Sequence, residues 1–542
     1  MARTRRAPSP LGQITPGSAD LNAARRAREL DALGARDHAV DLLVIGGGVT
    51  GTGVALDAAA RGLSVVLVEA HDLAFGTSRW SSKLVHGGLR YLATGDVAVA
   101  RESAVERHIL MTRTAPHLVH TLPQIVPLVP AVTTRQRVVG GIGFGLGDGL
   151  RLIAGTSGRV LPRPRRIGRD ETLRLAPATR RDGLRGGLLS HDGQLVDDAR
   201  LVVAIARTAA ALGATVLTRM RATSVTADGA VLEDALGGGS LRVRARVVVN
   251  ACGVWAGDID PSIRLRPSRG THLVLDAAAL GHPLAALTVP HPGSISRYVF
   301  ALPQQLGRVV VGLTDEDAPG PVPEVPTPSD GEIDFLLATL STALERELGR
   351  ADVLGAFAGL RPLVDSGEGA TADLSRRHHV AVSPGGIVNV LGGKLTTYRA
   401  MAEDAVDLAM RHGALDGGEC RTRALPLVGA PGSPVALTSP EPGSAAEGTA
   451  TSTALPPSLV ARFGAEAPAV LARALSADPA APVAPDIDVT RAEIEFAVLA
   501  EGALDADDVL DRRTRIGLVA ADRASAQAAV ESLVGEALAR AH

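Results

Sequence analysis

The N-terminal part of the chain contains one segment that strongly restricts how the chain can fold. An apolar run at residues 41–45 leads into a glycine-rich turn at 46–51, an Ala-rich stretch follows, and a second apolar run at 64–68 ends at Glu69. Short apolar runs on either side of a helical stretch indicate two buried strands joined by a helix. The segment therefore predicts a βαβ unit with parallel, fully buried strands.

The turn of this unit has glycine at three positions, Gly46, Gly48 and Gly51. This spacing lets the backbone approach a pyrophosphate closely, and the N-terminus of the following helix presents N–H groups and a positive dipole end to it. Glu69 comes 18 residues after Gly51, where a carboxylate can accept hydrogen bonds from ribose hydroxyls and would repel a 2′-phosphate. The unit therefore predicts binding of NAD or FAD and disfavours NADP.

Composition excludes several classes of function. The 542 residues carry a formal net charge of −2 and only 2% aromatic residues, so the chain lacks the basic field and the stacking platforms that nucleic acids need. Its two cysteines, Cys252 and Cys420, are far apart and without metal-binding spacing, which argues against a disulfide framework or a zinc site. Residues 1–20 lack the apolar core of a secretory signal. We therefore expect no nucleic-acid partner, no metal and a cytoplasmic location.

Changes in composition along the chain predict four regions. Residues 1–40 form an N-terminal extension, and mixed helix and strand patterns continue through residues 41–426. Residues 427–455 are rich in Gly, Pro, Ser, Thr and Ala, which is typical of a linker. Residues 456–542 show repeated helical patterns without a cluster of catalytic residue types, which predicts a helical accessory domain.

A more specific segment follows the βαβ unit at residues 71–91. It reads HDLAFGTSRWSSKLVHGGLRY and combines hydroxyl side chains with Lys83, His86, Arg90 and Tyr91. This string resembles the FAD-dependent glycerol-3-phosphate dehydrogenase family, whose members carry a similar string after the ribose-binding acid. Further blocks similar to that family occur in the same order at 192–201, 247–255, 269–272, 312–315, 359–363 and 392–399, and near the C-terminus at 463–467 and 508–515.

The resemblance covers most of the chain after residue 40 and implies its fold and activity. The fold class would be α/β, with a Rossmann-type FAD-binding domain interleaved with an α+β substrate domain and followed by a C-terminal helical domain. FAD would bind non-covalently to segments at about 41–115, 190–255 and 355–412. The activity would be oxidation of sn-glycerol 3-phosphate to dihydroxyacetone phosphate by hydride transfer to FAD, with the electrons passed to a quinone. The family also implies a homodimer, located peripherally on the inner face of the cytoplasmic membrane.

The FAD contacts implied by the resemblance lie in the glycine-rich turn and in four later blocks. They are Gly46, Gly48, Gly51, Glu69, Thr77, Ser78, Ser81, Ser82, Lys83, His86, Gly88, Ala251, Gly253, Gly393, Lys394, Leu395 and Thr396. Lys83 and Lys394 are the only two lysines in an arginine-rich chain, so each indicates a position that favours a compact ammonium. Residues 392–397 predict a turn into a helix whose N-terminal amides, together with Lys394, would stabilise the negative charge of reduced flavin.

Oxidation of a phosphorylated secondary alcohol requires hydride acceptance, proton removal and anchoring of the phosphate. Arg90 and Arg361 are the predicted anchors because a guanidinium fork matches phosphate geometry, and Tyr91 adds a hydroxyl donor. His272 is the predicted general base because imidazole titrates near neutral pH, and the resemblance puts it in the substrate domain facing the flavin. His86 is a competing histidine that better suits the flavin loop. The predicted catalytic residues are His272, Arg361 and Lys394.

Other functions remain open at this stage. The same fold serves amine and amino-acid oxidases, whose substrate carboxylate Arg361 could bind equally well, and a glycerol-3-phosphate oxidase would use oxygen instead of a quinone. A flavin-binding protein without catalysis is the non-enzymatic alternative. His191 and Leu313 depart from the family pattern, and no quinone motif is recognised. Arginines at 135–166 flank an apolar, glycine-rich stretch, which predicts either a peripheral membrane contact or an ordinary loop and strand.

Overall fold

The computed structural model describes residues 18–36, 38–88, 96–294, 297–365, 377–435 and 455–541. Its helices are α1 (Ala23–Gly34), α2 (Val49–Ala60), α3 (Val97–Ile109), α4 (Thr134–Ile153), α5 (Arg169–Leu175), α6 (Asp198–Ala211), α7 (Ala256–Ile259), α8 (Asp330–Ser341), α9 (Tyr398–Gly413), α10 (Pro457–Phe463), α11 (Ala467–Ala472), α12 (Arg491–Ala500), α13 (Ala506–Asp508) and α14 (Ala520–Ala541).

The strands lie in two large sheets and one small hairpin. They are β1 (Val40–Ile45), β2 (Val65–Val68), β3 (Leu84–Val85), β4 (Val119–Pro127), β5 (Arg165–Ile167), β6 (Gly187–Leu195), β7 (Thr215–Leu217), β8 (Met220–Thr226), β9 (Gly229–Asp234), β10 (Ser240–Asn250), β11 (Leu265–Asp276), β12 (Ala286–Pro290), β13 (Tyr298–Pro303), β14 (Arg308–Gly312), β15 (Glu316–Asp317), β16 (Val353–Val364), β17 (His379–Val382), β18 (Val388–Leu391), β19 (Pro482–Ala484) and β20 (Ile487–Thr490).

The first sheet contains the predicted βαβ unit. Its strand order is β17-β18-β10-β1-β2-β7, with β8 and β9 extending it from β10, and the strands from β18 to β7 are parallel. Leu42 and Val44 face the layer of helices α2, α6 and α9, whereas Leu43 and Ile45 face α1 and the β8–β9 hairpin. Because both faces are covered, strand β1 is apolar at successive positions instead of alternating.

The second sheet has the strand order β15-β11-β14-β13-β12-β4-β6-β3, with β16 paired to β11 and β5 paired to β6. Side chains alternate between its two faces along each strand. Leu273 and Leu275 of β11 pack against Leu336 and Leu340 of helix α8 on one face. His272, which directly precedes Leu273, therefore points to the opposite face, which lines the large cavity described below.

The chain passes repeatedly between the two sheets. Strands β1 and β2 belong to the first sheet, β3–β6 to the second, β7–β10 to the first, β11–β16 to the second, and β17 and β18 to the first again. This confirms the predicted interleaving of a Rossmann-type domain with an α+β domain. The C-terminal domain consists of helices α10–α14 around its own apolar core, and it also contains the β19–β20 hairpin, which the sequence analysis did not predict.

Two predicted regions are described only in part. In the N-terminal extension, residues 1–17 lie outside the described residues, and α1 begins after Asn22, whose side chain accepts a hydrogen bond from the N–H of Arg25. In the predicted linker, residues 436–454 also lie outside them. The glycine-rich stretch within 135–166 is helix α4, so the alternative expectation of a loop and strand there was wrong.

Candidate active site

A cavity of about 870 Å³ lies between the carboxyl ends of β1, β2 and β10 and the inner face of the second sheet. Ligands of open parallel sheets bind in this position, outside the carboxyl ends of the strands. Most predicted FAD contacts line the cavity: Gly46, Gly48, Glu69, Thr77, Ser78, Ser81, Ser82, His86, Ala251, Gly253, Gly393, Lys394, Leu395 and Thr396. His272 and Arg361 line the same cavity. The structure therefore brings the cofactor segment and the proposed chemistry together.

The glycines of the first turn are required by close backbone contacts. Gly46 has a φ of +108°, and a Cβ on it would lie 2.7 Å from the carbonyl oxygen of Ala251. A Cβ on Gly51 would lie 1.9 Å from the carbonyl oxygen of Gly46. Gly51 does not line the cavity in the described structure; instead its missing side chain allows helix α2 to start directly against the turn.

Glu69 is fixed at the end of β2 by two backbone donors. The N–H of Gly47 donates to Oε2 at 2.6 Å, and the N–H of His71 donates to Oε1 at 2.9 Å. Burial raises the pKa of Glu69, and the two N–H donors oppose that rise. The carboxylate lines the cavity at the end of the second strand, where the sequence analysis expected the ribose-binding acid.

Lys83 and Gly88 do not line the cavity in the described part of the chain. The ammonium of Lys83 lies 3.3 Å from Oδ1 of Asp198 and over the ring of Phe357, and burial lowers its pKa. The N–H of Gly88 donates to Nδ1 of His86, which closes a short turn. Lys83 therefore acts behind the cavity wall, and a direct contact between Lys83 and FAD stays a prediction.

His272 lies on β11 with its ring against the cavity wall. Its Nε2 is 2.8 Å from the hydroxyl of Ser82, and its ring stacks on Phe357 with centroids 4.9 Å apart. Burial lowers the pKa of His272 to about 3, with the charges of Lys83 and Arg361 adding to the shift. The imidazole is therefore neutral at neutral pH and can accept a proton.

Arg361 extends from β16 across a gap on the same face of the sheet. Its guanidinium donates to Oδ1 of Asp315 at 3.0 Å and to the carbonyl oxygen of Thr314 at 3.1 Å. Nη2 would lie 2.3 Å from a Cβ on Gly270, so only glycine leaves room for this path. Since residues 270 and 272 share a face, Gly270 lets the guanidinium approach His272.

Lys394 follows two glycines of positive φ, Gly392 and Gly393. Its ammonium donates to the hydroxyl of Ser103 on helix α3 at 2.5 Å. Helix α9 begins at Tyr398 after one short 3₁₀ turn, so the predicted turn into a helix is present. The predicted anchors Arg90 and Tyr91 lie outside the described residues.

The sequence analysis missed most aromatic side chains of the cavity. The chain has seven Phe, three Tyr and two Trp residues, and seven of these twelve line the cavity: Phe75, Trp80, Phe144, Trp255, Tyr298, Phe300 and Phe335. In a chain so poor in aromatics, each aromatic position was itself a signal. Arg297, which also lines the cavity, had no comparable signal among the many arginines.

Comparison with known proteins agrees with this geometry. The model of the FAD dependent oxidoreductase family matches residues 41–407, and the model of the C-terminal domain of alpha-glycerophosphate oxidase matches residues 420–540. The chain is 60% identical over 514 residues to glycerol-3-phosphate dehydrogenase 1 of Mycobacterium tuberculosis (strain ATCC 25618 / H37Rv), covering 94% of this chain and 97% of that protein. The chain belongs to the FAD-dependent glycerol-3-phosphate dehydrogenase family.

Two further members of the glycerol-3-phosphate dehydrogenase family support this assignment. Glycerol-3-phosphate dehydrogenase 2 of the same M. tuberculosis strain is 37% identical over 524 residues, covering 94% of this chain and 86% of that protein. The solved glycerol-3-phosphate dehydrogenase from Bacillus halodurans complexed with FAD superposes with a TM-score of 0.68 at 25% identity, and the match covers 96% of each chain. The resemblance inferred from the sequence is confirmed.

As a member of this family, the chain uses FAD, and the observed residues fit that cofactor. The turn at Gly46 and Gly48, where side chains are absent, allows the close approach that a pyrophosphate needs. Glu69 lines the cavity at the end of β2, where a carboxylate can bind a ribose. Ser78 Oγ accepts from the N–H of Val49, the first residue of helix α2, and Val49 and Thr50 both line the cavity. The cavity continues from this cradle to His272 and Arg361.

Proposed function

We propose that this protein oxidises sn-glycerol 3-phosphate to dihydroxyacetone phosphate. The observation that carries the proposal is a buried, neutral imidazole, His272, beside a guanidinium, Arg361, on one face of a sheet that closes the FAD cavity. The names of the M. tuberculosis and B. halodurans relatives support this substrate. Bound FAD supplies the hydride acceptor.

His272 would remove the proton of the substrate hydroxyl. Its Nε2 is the ring nitrogen that faces Ser82 and the cavity, so Nε2 is the atom proposed to receive the proton. The stacking on Phe357 and the contact with Ser82 fix the ring, which would hold the nitrogen in position for the substrate hydroxyl. The neutral ring is in the protonation state that a general base needs, and the same burial that keeps it neutral lowers its basicity.

Arg361 would hold the phosphate. Asp315 and Thr314 orient its guanidinium, and the missing side chain at Gly270 lets it extend along the cavity wall. A guanidinium matches phosphate oxygens in a bidentate geometry. Arg297 lies on the same cavity and is a second guanidinium of the proposed phosphate site. The contribution of Arg90 and Tyr91 stays a prediction from the sequence.

Lys394 would serve the flavin end of the cavity. The turn at Gly392 and Gly393 places its backbone against the cavity, and Ser103 holds the ammonium. A positive charge and a helix start at this position favour the negative charge that a reduced flavin carries. The role proposed for Lys394 is therefore to favour hydride acceptance.

The test is anaerobic reduction of the purified holoenzyme. Addition of sn-glycerol 3-phosphate should bleach the visible flavin band. A stopped-flow instrument measures the rate of this bleaching. A panel of amino acids and amines under the same conditions serves as the comparison. A band that persists with glycerol 3-phosphate but bleaches with an amino acid would overturn the proposal in favour of an amine oxidase.

We further propose a quinone as the electron acceptor and helix α4 as a peripheral membrane contact. Val138, Ile142 and Leu146 of α4 are 57%, 60% and 53% exposed and follow one another at helical spacing. Gly140 and Phe144, on the other side of this helix, line the cavity. No helix in the described ranges is long and apolar enough to cross a membrane.

The resemblance also implies a homodimer, which light scattering of the holoenzyme would test.

A further inference from the structure

The C-terminal domain contacts the flavin loop, here defined as residues 77–83, and the segment just before it through three arginines. Arg512 and Arg513 both form ion pairs with Asp72, just before the loop. Arg515 reaches the loop itself and is only 3% exposed. Buried guanidinium groups remain favourable only where carboxylates or carbonyl oxygens compensate them. The partners of Arg515 therefore indicate what this residue does.

Arg515 contacts the loop in two ways and the N-terminus of helix α6 in a third. Its Nη2 donates to the carbonyl oxygen of Arg79 at 2.6 Å, and its guanidinium lies 5.3 Å from the ring centre of Trp80. Its Nε lies 3.3 Å from Oδ2 of Asp197, at the N-terminus of helix α6. A single planar group thus joins the loop to the helix that lies beneath it.

Asp198, next to Asp197, holds the following part of the loop. Its Oδ2 accepts from the N–H of Ser81 at 2.9 Å and from the Ser81 hydroxyl at 2.7 Å. Its Oδ1 pairs with Lys83, whose N–H donates to the Ser81 hydroxyl at 3.0 Å. Ser82 lies between these two anchored residues, and its hydroxyl contacts Nε2 of His272.

Asp197 and Asp198 are adjacent, buried carboxylates, and each has its own cation. Arg515 compensates Asp197, and Lys83 compensates Asp198. Without the guanidinium, Asp197 would compete with Asp198 for the ammonium of Lys83, because an uncompensated buried charge is strongly unfavourable. Displacement of Lys83 would disturb Ser81 and, with it, the position of Ser82.

We propose that Arg515 of the C-terminal domain is a positioning residue for the general base, acting through the flavin loop to hold Ser82 against His272. The inference rests on the proposed function, because it takes His272 as the base. It assigns the C-terminal domain a part in the reaction, although none of the contacts described for Arg515 is with His272, Arg361 or Lys394. Arg515 acts through Asp197, Arg79 and Trp80.

A double-mutant cycle tests the proposal. The holoenzymes Arg515→Met, Ser82→Ala and the double variant are reduced anaerobically with sn-glycerol 3-phosphate in a stopped-flow instrument. Each single change should slow flavin reduction by about tenfold, with little change in the substrate concentration that gives half-maximal rate. The double variant should be no slower than the slower single variant, because both changes remove one connection. Rates that fall multiplicatively would overturn the proposal.

Hydrogen–deuterium exchange gives a second readout that needs no substrate. The amides of Ser81 and Lys83 donate within this network, so they should exchange faster in Arg515→Met than in the wild type. Asp522→Asn is the matched control, because it breaks another contact of the C-terminal domain, the pair with Arg308. It should leave exchange in the loop unchanged. Unchanged exchange at residues 81–83 in Arg515→Met would refute the positioning role.

The two arms separate this inference from the proposed function. A wild-type flavin that glycerol 3-phosphate does not reduce would refute the proposed function, while the exchange measurement would still decide whether Arg515 holds the loop. If Arg515→Met purifies without FAD, Arg515→Lys replaces it in both arms, since lysine keeps a cation beside Asp197 but loses the planar fork. Arg515→Lys should slow flavin reduction less than Arg515→Met, and its effect should again not add to that of Ser82→Ala. Additive effects would overturn the proposal.

Discussion

The hydroxyl of Ser82 lies 2.8 Å from Nε2 of His272. Ser82 belongs to the loop that follows the FAD-binding βαβ unit, whereas His272 lies on β11 of the second sheet, 190 residues later in the chain. This hydrogen bond therefore joins the cofactor segment to the proposed base. The orientation of the base depends on both domains and is fixed only when they are packed together.

Replacement of His272 by asparagine should slow flavin reduction by sn-glycerol 3-phosphate about 10²- to 10⁴-fold, the usual contribution of a general base. FAD should remain bound, because the glycine-rich turn and Glu69 are untouched. Stopped-flow reduction and the visible absorbance of the purified variant measure the two effects. His282→Asn, at an exposed left-handed position that asparagine tolerates, is the control. Wild-type reduction rates in His272→Asn would rule out the assignment.

The stability of the protein should depend on the ionisation of His272. Burial holds its pKa at about 3 in the folded state, against 6.5 for an ordinary histidine. Below about pH 6.5 the unfolded chain binds a proton at this residue that the native protein does not bind. The neutral histidine thus costs no stability above that pH and an increasing amount as the pH falls towards 3.

The measurement is the Tm of wild type and His272→Asn at pH 7.5 and pH 5. Because asparagine does not titrate, the variant should lose less Tm than the wild type on acidification. His282→Asn should follow the wild type at both pH values, since this histidine is exposed. A constant difference between wild type and His272→Asn across the two pH values would contradict the prediction.

Glu69→Gln should weaken FAD binding about 10- to 100-fold, because it removes one charge from the hydrogen bonds that the carboxylate makes. The amide would also bring its own N–H groups towards those of Gly47 and His71, which now donate to Glu69. Recovery of flavin fluorescence on dilution measures FAD release. Glu233→Gln, at an exposed position of β9, should leave FAD release unchanged. Equal FAD release from both variants would show that Glu69 does not contribute to FAD binding.

Ile142→Asp combined with Leu146→Asp should reduce binding to vesicles that contain anionic lipid. Both side chains are more than half exposed on helix α4, and a charge at either position opposes insertion of that face among lipid headgroups. Co-sedimentation with vesicles gives the bound fraction. Leu284→Asp, at another highly exposed leucine, should sediment like the wild type. If all three proteins sediment alike, α4 is not the membrane contact.

Local patterns were sufficient to predict the framework of the site. The spacing of Gly46, Gly48 and Gly51 and the acid at Glu69 depend on contacts within one βαβ unit, and the structure shows those contacts. The helix α4 was less clear from the sequence, because its many glycines are poor helix formers. Its start was nevertheless signalled by Thr133 and Gln136, which form a capping box.

Contacts between distant parts of the chain could not be predicted in this way. Arg515 and Arg79 are separated by 436 positions, and no periodicity connects them. The pairing of Lys83 with Asp198, a buried carboxylate that requires a cation, was likewise not predicted from the sequence. Arginine is so common in this chain that the sequence offers no way to distinguish the arginines that line the cavity from those in solvent.

The unequal environments of the two lysines have a practical consequence. Lys83 is 3% exposed and engaged with Asp198, whereas Lys394 lines the cavity. Of the two lysines, only Lys394 lines the cavity, so a small amine-directed label, such as an acylating reagent, would have to reach it through the cofactor cavity. The yield of acylation at Lys394 would report the fraction of protein molecules whose cavity is occupied by cofactor, without any engineered tag.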